Sequence, residues 1–520
     1  MEVSPLRQYI HPPLPGVASE EMKTSNSPIK TIAFVSLGCP KNLVDSERML
    51  GLLAQDGLVL TPDAAEADAI VINTCGFLEA SKEESLREIR DALDLKNTGR
   101  CKRVVVAGCL VQRHKTKLLE EVPGIDRLVG VFDREHIVEA VRGKNNPRQE
   151  HGHFLGKYHD LSRDLQQAHG FQSVGLVKET KNSRLPVFED DRARLRLTPR
   201  HYAYLRMSEG CNQGCTFCTI PSIRGPMRSK PIEQILLEAR ELAADGAVEL
   251  NLIGQDTTSY GTDIGYAPGL AGLLRTLNRE LKDVHWLRLM YAYPSCFTDE
   301  MIDAIAQCDR VVKYIDMPLQ HINDQILARM KRRVTRSQTE ALLQKLRDRI
   351  PGIAIRTTFI AGAPGETDQQ HQELVDFVRD FGFDMMGVFP FSQEPGTPMG
   401  RMSDPVPPDI KQQRVEELML TQQQVAFAKA KSMIGKTIEV LIDGPPSPGV
   451  PASAGMSSTT WTARSQSQAP DIDSVVYLGS KTAQLHPGQL VKATVTDYQA
   501  YDLVARVPVP ARRTLEVLCQ

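Results

Sequence analysis

The sequence has no long apolar run, which limits the class of protein. No stretch of the 520 residues approaches the roughly 18 consecutive apolar residues that span a bilayer. Residues 1–29 contain no apolar signal core and five prolines, so we expect a disordered tail and no targeting peptide. A cytoplasmic protein without a membrane partner is therefore predicted.

The chain also has no excess of charge of either sign and contains little cysteine. A net charge of −2, from 62 basic and 64 acidic residues, gives no general attraction to nucleic acid or to anionic membrane. Ten cysteines in 520 residues are too sparse for a secreted disulfide scaffold. Where they cluster, they indicate a metal site in a reducing compartment.

One such cluster is the segment Cys211-Asn-Gln-Gly-Cys215-Thr-Phe-Cys218. Three cysteines spaced C-x3-C-x2-C can hold three corners of an iron–sulfur cube and leave the fourth iron free for chemistry. Ferredoxins instead bind every iron through cysteine, because their clusters only store charge. The alternatives are a structural zinc site, which prefers a fourth ligand, and a chance grouping.

The periodicity of the chain predicts an α/β protein of three domains. Residues 30–165 alternate strands with helices, which indicates a doubly wound parallel sheet. The predicted strands there are Thr31–Ser36, Ala69–Asn73 and Arg103–Ala107, and the predicted helices are Asp45–Gln55, Ser81–Leu95 and Gln112–Glu121. A polar linker is expected over residues 166–197.

Residues 198–431 hold six strand–helix units, which fit a (β/α)6 partial barrel or a full one. The cysteine segment follows the first of these strands, at the end where such barrels place their chemistry. For residues 432–508 we predict a small all-β barrel with a Gly-, Pro- and Ser-rich insertion over 444–460. Residues 509–520 are expected to form a short tail.

Three cysteines nearer the N-terminus form the first cysteine group, which is assembled across strands, whereas the 211–218 segment forms the second. Cys39, Cys75 and Cys109 each lie within a few residues of the carboxyl end of a predicted parallel strand. Open α/β sheets bind ligands at that edge, and the flanking glycines Gly38, Gly76 and Gly108 would allow the backbone to approach a bulky cluster. The residues alone leave open that these are three unrelated small side chains.

Together these features resemble the methylthiotransferases of the radical S-adenosylmethionine (SAM) superfamily, over nearly the whole chain after residue 30. The local matches are Ser36-Leu-Gly-Cys-Pro-Lys-Asn42, Asn73-Thr-Cys-Gly-Phe77, Ser208-Glu-Gly-Cys211, Ile220-Pro-Ser-Ile-Arg-Gly225 and Pro318-Leu-Gln-His321. The resemblance implies a C-terminal barrel of the TRAM type, which is OB-like.

The resemblance also implies the cofactors. Cys211, Cys215 and Cys218 would hold a 4Fe–4S cluster that cleaves SAM to a 5′-deoxyadenosyl radical, with electrons from a donor such as flavodoxin or ferredoxin. The first cysteine group, Cys39, Cys75 and Cys109, would hold an auxiliary 4Fe–4S cluster where sulfur is methylated by a second SAM.

Further site residues are weaker candidates. The loop Phe359-Ile-Ala-Gly-Ala-Pro-Gly-Glu366 follows a predicted strand, and its amides would be exposed to SAM near Gly362, Gly365 and Glu366. An ordinary barrel turn explains the same glycines. Asp256 and His321 could line the active site or be structural.

The family that the chain resembles has two main branches. One modifies an adenosine of tRNA, and the other modifies an aspartate in the twelfth protein of the small ribosomal subunit. Gly254-Gln-Asp-Thr-Thr-Ser-Tyr-Gly261 and Gln468-Ala-Pro-Asp-Ile-Asp473 are similar to the protein-modifying branch. Residues 432–506 carry five basic and six acidic residues, which suits a basic protein better than tRNA.

The sequence therefore predicts β-methylthiolation of the aspartate in the twelfth protein of the small ribosomal subunit. Methylthiolation of tRNA is the alternative, and a non-catalytic iron–sulfur scaffold is a second alternative of another class. The chain departs from the family at Ala463-Arg464-Ser465, where related barrels often have Gly-Arg-Ser, and in the longer insertion over 444–460. Both departures could alter substrate docking.

Overall fold

A computed structural model describes residues 28–143, 153–156, 190–403, 405–446, 460–480 and 484–508. The predicted terminal tails, most of the 166–197 linker and most of the 444–460 insertion therefore lie outside the described residues. Within the described ranges, no helix is long and apolar enough to cross a membrane.

The N-terminal domain is a five-stranded parallel sheet in the order β2-β1-β3-β4-β5. Its strands are β1 (Thr31–Ser36), β2 (Val59–Leu60), β3 (Ala69–Thr74), β4 (Arg103–Gly108) and β5 (Arg127–Val129). Apolar side chains alternate between two cores, one on each face of the sheet. The predicted doubly wound sheet is confirmed, because strands buried on both faces read as continuous apolar runs.

The helices of this domain cover both faces of the sheet. They are α1 (Pro40–Gln55), α2 (Glu79–Thr98), α3 (Cys109–His114), α4 (Lys117–Glu121) and α5 (Ile137–Arg142), with 3₁₀ turns at Ala64–Glu66 and Val131–His136. The single helix predicted over Gln112–Glu121 is wrong. Lys115 has φ +53°, a left-handed conformation that ends α3 and separates it from α4.

The central domain contains a six-stranded parallel sheet in sequential order, which forms the predicted partial barrel. Its strands are β6 (Tyr202–Arg206), β9 (Glu249–Ile253), β10 (Trp286–Leu289), β11 (Val311–Asp316), β12 (Ala354–Ala361) and β13 (Met385–Pro390). A short antiparallel pair, β7 (Ser208–Glu209) and β8 (Arg228–Ser229), brackets the cysteine segment.

The helices of the central domain are α6 (Ile220–Arg224), α7 (Ile232–Ala244), α8 (Gly269–Glu280), α9 (Asp299–Gln307), α10 (Asp324–Arg329), α11 (Arg336–Arg349), α12 (Asp368–Phe381) and α13 (Pro408–Met433), with 3₁₀ turns at Pro294–Cys296 and Met399–Arg401. Helices α6, α8 and α13 were not predicted. The buried positions of α13 include Lys411, Arg414 and Gln422, so its inward face has no clear apolar stripe in the sequence.

The C-terminal domain is the predicted all-β barrel, and it is closed by five strands in the order β14-β15-β16-β18-β17. The strands are β14 (Thr437–Gly444), β15 (Thr460–Ser465), β16 (Val476–Gly479), β17 (Leu490–Gln499) and β18 (Asp502–Arg506). Strands β15 and β18 were missed, because they are short and each includes a charged residue.

All three domains meet in one apolar core inside the partial barrel. The inward faces of its strands contribute Tyr202, Trp286 and Tyr314, while α1 contributes Val44 and the C-terminal barrel contributes Leu441. This packing fixes the N-terminal sheet against the central domain.

Candidate active site

The three N-terminal cysteines lie at the carboxyl edge of three neighbouring parallel strands. Cys39 caps α1, Cys75 directly follows β3 and Cys109 is the first residue of α3. Because β3 lies between β1 and β4, the edge brings these turns side by side. Cys39 is exposed, whereas Cys75 and Cys109 are buried, so this group opens to solvent on one side.

Glycines allow the cysteine-bearing turns to approach one another. A β-carbon at Gly38 would lie 2.9 Å from Cβ and 3.2 Å from Sγ of Cys75, and Gly38 has φ +93°. A β-carbon at Gly76 would lie 2.7 Å from Cα of Leu110, next to Cys109. The expected backbone approach at these glycines is therefore present, and a larger residue at either position would push the turns apart.

The second cysteine group occupies the turn after β7. The amide of Cys211 donates to the carbonyl of Gly225 at 3.3 Å, and the amide of Cys218 donates to the carbonyl of Cys215 at 3.2 Å. The sulfurs of Cys211 and Cys218 each accept a hydrogen bond at 3.5 Å from the amide two residues further along the chain. Such donors stabilise a thiolate.

Two side chains from the barrel approach the third sulfur of this group. The hydroxyl of Tyr293 lies 3.9 Å from Sγ of Cys215, and Nη1 of Arg332 lies 3.8 Å from the same sulfur. The Arg332 guanidinium also stacks over the Tyr293 ring at 4.0 Å. Both residues lie beyond the carboxyl ends of their strands, so the barrel surrounds the cysteine turn with polar donors.

Burial makes several thiols of the two groups hard to ionise in the absence of metal. Burial, reinforced by neighbouring thiols, raises the pKa of Cys109 and of Cys218 to about 12, and burial raises the pKa of Cys211 to about 11. Burial likewise raises the pKa of Cys75, with Cys39 adding to the effect. Metal binding must therefore release protons at these sites.

Each group offers a metal three thiols as its donor set. Zinc holds its cysteine sulfurs about 2.3 Å from one point. Among the described residues, no three His, Cys, Asp or Glu side chains converge on a single metal ion in this way. The three cysteines of a cube bind three different irons and need not converge on one point, so a set of three thiols is chemically suited to a cube.

Arg224 reaches from the central domain to the first cysteine group. It lies six residues after Cys218, and its Nη2 donates to Sγ of Cys109 at 3.1 Å and to Oδ1 of Asn42 at 3.2 Å. Its Nη1 donates to Oδ2 of Asp45 at 2.6 Å. A guanidinium from the central domain thus contacts the cysteines of the N-terminal domain directly.

Asp256 lies beside the cysteine turn and is fully engaged. Its carboxylate accepts hydrogen bonds from Nε2 of Gln213 at 2.6 Å, from Oγ of Ser259 at 2.6 Å and from Oγ1 of Thr258 at 2.7 Å. Gln213 lies between Cys211 and Cys215, so Asp256 anchors the cysteine turn to the loop after β9. This is a positioning role.

The glycine-rich loop is organised by its own glutamate. Oε2 of Glu366 accepts hydrogen bonds from the amides of Gly362 at 2.7 Å and Ala363 at 2.9 Å. These two amides are therefore not exposed, and the expectation of open amides at Gly362 is wrong. Gly365 is constrained by a basic side chain, because Nη1 of Arg329 donates to its carbonyl at 2.9 Å.

His321 lies beneath the same loop and is not charged. Its Nδ1 accepts the amide of Asn323 at 3.0 Å, and its Nε2 lies 3.9 Å from Oε2 of Glu366. Burial, with contributions from His371 and Arg414, lowers the pKa of His321 to about 3. The structure therefore brings His321 and Glu366 together under the loop.

The C-terminal segment that suggested the substrate branch faces inward. Asp471 accepts hydrogen bonds from the hydroxyls of Tyr202 at 3.0 Å and Tyr204 at 2.9 Å, and Asp473 accepts one from Tyr314 at 2.8 Å. These tyrosines line the partial barrel, so this segment joins the C-terminal barrel to the strands.

Arg464 is also part of this joint. Its guanidinium pairs with Glu249 at 2.7 Å and with Asp443 at 2.8 Å, and its side chain is 3% exposed. Arg464 therefore joins the barrel to the central domain, and an effect of Ala463, the residue that departs from the family pattern, on substrate docking stays a prediction. The charge argument also loses force, because Arg464, Asp443, Asp471 and Asp473 face the central domain and leave four basic and three acidic residues elsewhere in 432–506.

Family models match the three domains in order. They are described as "Uncharacterized protein family UPF0004" over residues 31–130, "Radical SAM superfamily" over 205–378 and "TRAM domain" over 434–507. Proteins from Trichlorobacter lovleyi and Geotalea uraniireducens, each named ribosomal protein uS12 methylthiotransferase RimO, are 40% identical over 93% of this chain and 99% of their own length. One of the same name from Anaeromyxobacter sp. (strain K) is 41% identical over 91% of this chain and 92% of its own.

The chain belongs to the ribosomal protein uS12 methylthiotransferase family. It is a radical SAM enzyme that transfers a methylthio group, and its superfamily uses SAM with a 4Fe–4S cluster. The predicted family, fold class and enzyme class are confirmed.

Three functional candidates in this methylthiotransferase were not identified from the sequence as site residues. Arg224 and Lys41 lie within the quoted motifs Ile220–Gly225 and Ser36–Asn42, but a motif does not show which of its members contact the other domain. Tyr291 follows β10 without any motif. All three become visible only when the N-terminal edge and the barrel end are placed together.

Proposed function

We propose that this enzyme methylthiolates the β-carbon of an aspartate in uS12. The single observation that supports it best is the contact of Arg224 with Cys109: its Nη2 donates to Sγ of Cys109 at 3.1 Å, from a helix that begins two residues after Cys218. A radical formed beside one group would then meet sulfur held at the other. The substrate is inferred from the relatives, which are named as uS12 methylthiotransferases.

Each cysteine group has a proposed role. Cys211, Cys215 and Cys218 hold a 4Fe–4S cluster with one open iron, which supplies the electron that cleaves the sulfonium C–S bond of SAM when bound. The other group holds the auxiliary 4Fe–4S cluster, where the methylthio group is prepared. The amides behind Cys211 and Cys218 stabilise their thiolates, and Arg224 orients Cys109.

The remaining site residues shape this space. Asp256 holds the cysteine turn through Gln213, and Glu366 closes the glycine-rich loop on itself. We propose that this loop, with Gly365, lies against SAM, and that Glu366 sets its shape. Neutral His321 supports the loop from below.

The test is an anaerobic assay that offers uS12 and tRNA together. The reconstituted enzyme with SAM and a reductant such as flavodoxin or ferredoxin should add one methylthio group to one uS12 aspartate, detected by peptide mass spectrometry. If the tRNA is modified and uS12 is not, the substrate proposal is wrong and the enzyme belongs to the tRNA-modifying branch. A ribosomal substrate also places the proposed reaction in the cytoplasm.

Two cysteine variants separate the proposed roles. Cys211→Ala should abolish 5′-deoxyadenosine formation, whereas Cys75→Ala should retain it and lose methylthiolation. Cys308→Ala is the matched control, because Cys308 is buried in the core away from both groups. If Cys75→Ala methylthiolates uS12 at the rate of the control, the assignment of an auxiliary cluster to Cys39, Cys75 and Cys109 is wrong.

A further inference from the structure

Lys41 comes two residues after Cys39, in the first cysteine group, and its side chain reaches the central domain. Its side chain belongs to the N-terminal domain, yet its Nζ lies 3.2 Å from the centre of the Tyr291 ring of the central domain. Tyr293, two residues further on, approaches Sγ of Cys215. The short segment 291–293 therefore reaches from Lys41 to the second cysteine group.

Tyr291 is held in an unfavourable backbone conformation at this point. Its φ is +59°, which is rare for a bulky aromatic residue. Its amide donates to Oδ2 of Asp316 at 3.2 Å, and its carbonyl accepts from the amide of Thr257 at 3.2 Å. Strain that surrounding strand ends maintain is typical of functional sites, and here it keeps the ring over Lys41.

Lys41 has no acidic partner to balance its charge. The residue is 7% exposed, and within the described ranges no carboxylate oxygen lies within ion-pair distance of its Nζ. The nearby acids are engaged elsewhere, since Glu209 pairs with Arg206 and Arg224, and Asp316 pairs with Arg356. A buried ammonium that lies against the Tyr291 ring and has no carboxylate within ion-pair distance remains able to pair with an incoming carboxylate.

We propose that Lys41 binds the side-chain carboxylate of the substrate aspartate and thereby places its β-carbon between the two cysteine groups. This inference rests on the proposed function. The β-carbon is bonded to the carboxyl carbon, so a carboxylate fixed on Lys41 leaves that carbon within the space between the clusters. An adenine base has no such group, so the same contact would favour an aspartate over tRNA.

The test measures binding separately from turnover. Isothermal titration calorimetry of the cluster-loaded enzyme, without SAM, would compare uS12 with uS12 in which the target aspartate is replaced by asparagine. Wild-type enzyme should bind the aspartate form about 10- to 100-fold more tightly, as expected for a hydrogen bond to a charged group. Lys41→Met should bind the two forms equally, and Lys41→Arg should retain most of the preference.

The matched control is Lys345→Met, at a surface lysine that pairs with Asp299 and is 48% exposed. It should behave as wild type. Iron content and the electron paramagnetic resonance spectra of both clusters should be unchanged in Lys41→Met, while the KM for uS12 rises.

Two results would overturn the assignment: no preference for the aspartate form in wild type, or an undiminished preference in Lys41→Met. If the undiminished preference comes with a changed auxiliary-cluster spectrum, Lys41 acts on the cluster instead. Wild-type enzyme that prefers the aspartate form but leaves uS12 unmodified would refute the proposed function and retain the role of Lys41.

Discussion

Replacing Arg224 by methionine tests whether the contact between the N-terminal and central domains depends on one buried guanidinium. Arg224 is 2% exposed and pairs with Asp45 at 2.6 Å and Glu209 at 3.1 Å. Methionine has a similar length but no charge, so the two carboxylates would lose a shared partner without a large cavity. The substitution also removes the contacts to Asn42 and Cys109.

The magnitude follows from what each acid retains. Breaking a buried ion pair typically destabilises by about 3–5 kcal/mol. Asp45 keeps Arg134 and Arg206, both at 2.8 Å, and Glu209 keeps Arg206. We therefore expect the lower end, about 3 kcal/mol. At roughly 2–4 °C per kcal/mol for a domain of about 150–250 residues, the melting midpoint should fall by about 6–12 °C.

The pH dependence gives a second measure of the same contact. Burial alone would raise the pKa of Asp45, but Arg224, Arg206 and Arg134 together lower it to about 2. A depressed carboxyl pKa stabilises the fold above the unfolded value of about 3.9 and loses that stabilisation as pH falls toward 2. Without Arg224 the pKa of Asp45 rises, so the variant should lose less stability over that acid range.

The assay is thermal scanning of anaerobically purified protein beside an exposed arginine variant. Arg279→Met is the control, because Arg279 is 68% exposed and pairs with Glu280 at the surface. It should shift stability by no more than about 0.5 kcal/mol. If Arg224→Met melts within about 2 °C of this control, the buried pairs do not hold the domains together as described.

Three further predictions concern single positions in the site. Gly38→Ala should lower the amount of iron bound by the first cysteine group, because the new β-carbon would lie 2.9 Å from Cβ of Cys75. The control is Gly57→Ala, since Gly57 also has a positive φ but a β-carbon there would have nothing within 4 Å. Equal iron content in the two variants would contradict the close approach at Gly38. Asp256→Ala should reduce 5′-deoxyadenosine formation about 10- to 100-fold by loosening the cysteine turn, with the iron of the first group retained; unchanged formation in that assay would remove the anchoring role. Burial keeps the pKa of His321 at about 3 in the folded protein, whereas the unfolded chain takes up the proton near pH 6.5, so the folded state loses stability as pH falls from about 6.5 toward 3. His321→Gln should reduce this loss. Denaturant titrations that give the same dependence of the unfolding free energy on pH for both proteins would refute this prediction.

Much of the fold could be predicted because its strands are short apolar runs. Strand Thr31–Ser36 was predicted at its observed bounds, and the carboxyl-edge position of Cys39, Cys75 and Cys109 followed from parallel pairing alone. The helix Pro408–Met433 was missed, because its inward positions carry polar side chains that bond to other elements. Periodicity reports apolar burial and does not detect a helix face that is held by hydrogen bonds.

The sequence by itself determined the chemistry that is available, since the C-x3-C-x2-C spacing and the strand-end cysteines depend on covalent order and on the direction of parallel strands. Only the tertiary structure decided which charges serve that chemistry. Arg464 and Asp471 turn inward to the barrel strands, while Arg224 and Lys41 lie across the domain boundary at the two cysteine groups. The sequence does not show which partner a charged side chain has, and the role of that side chain depends on the partner that packing brings within a few ångströms.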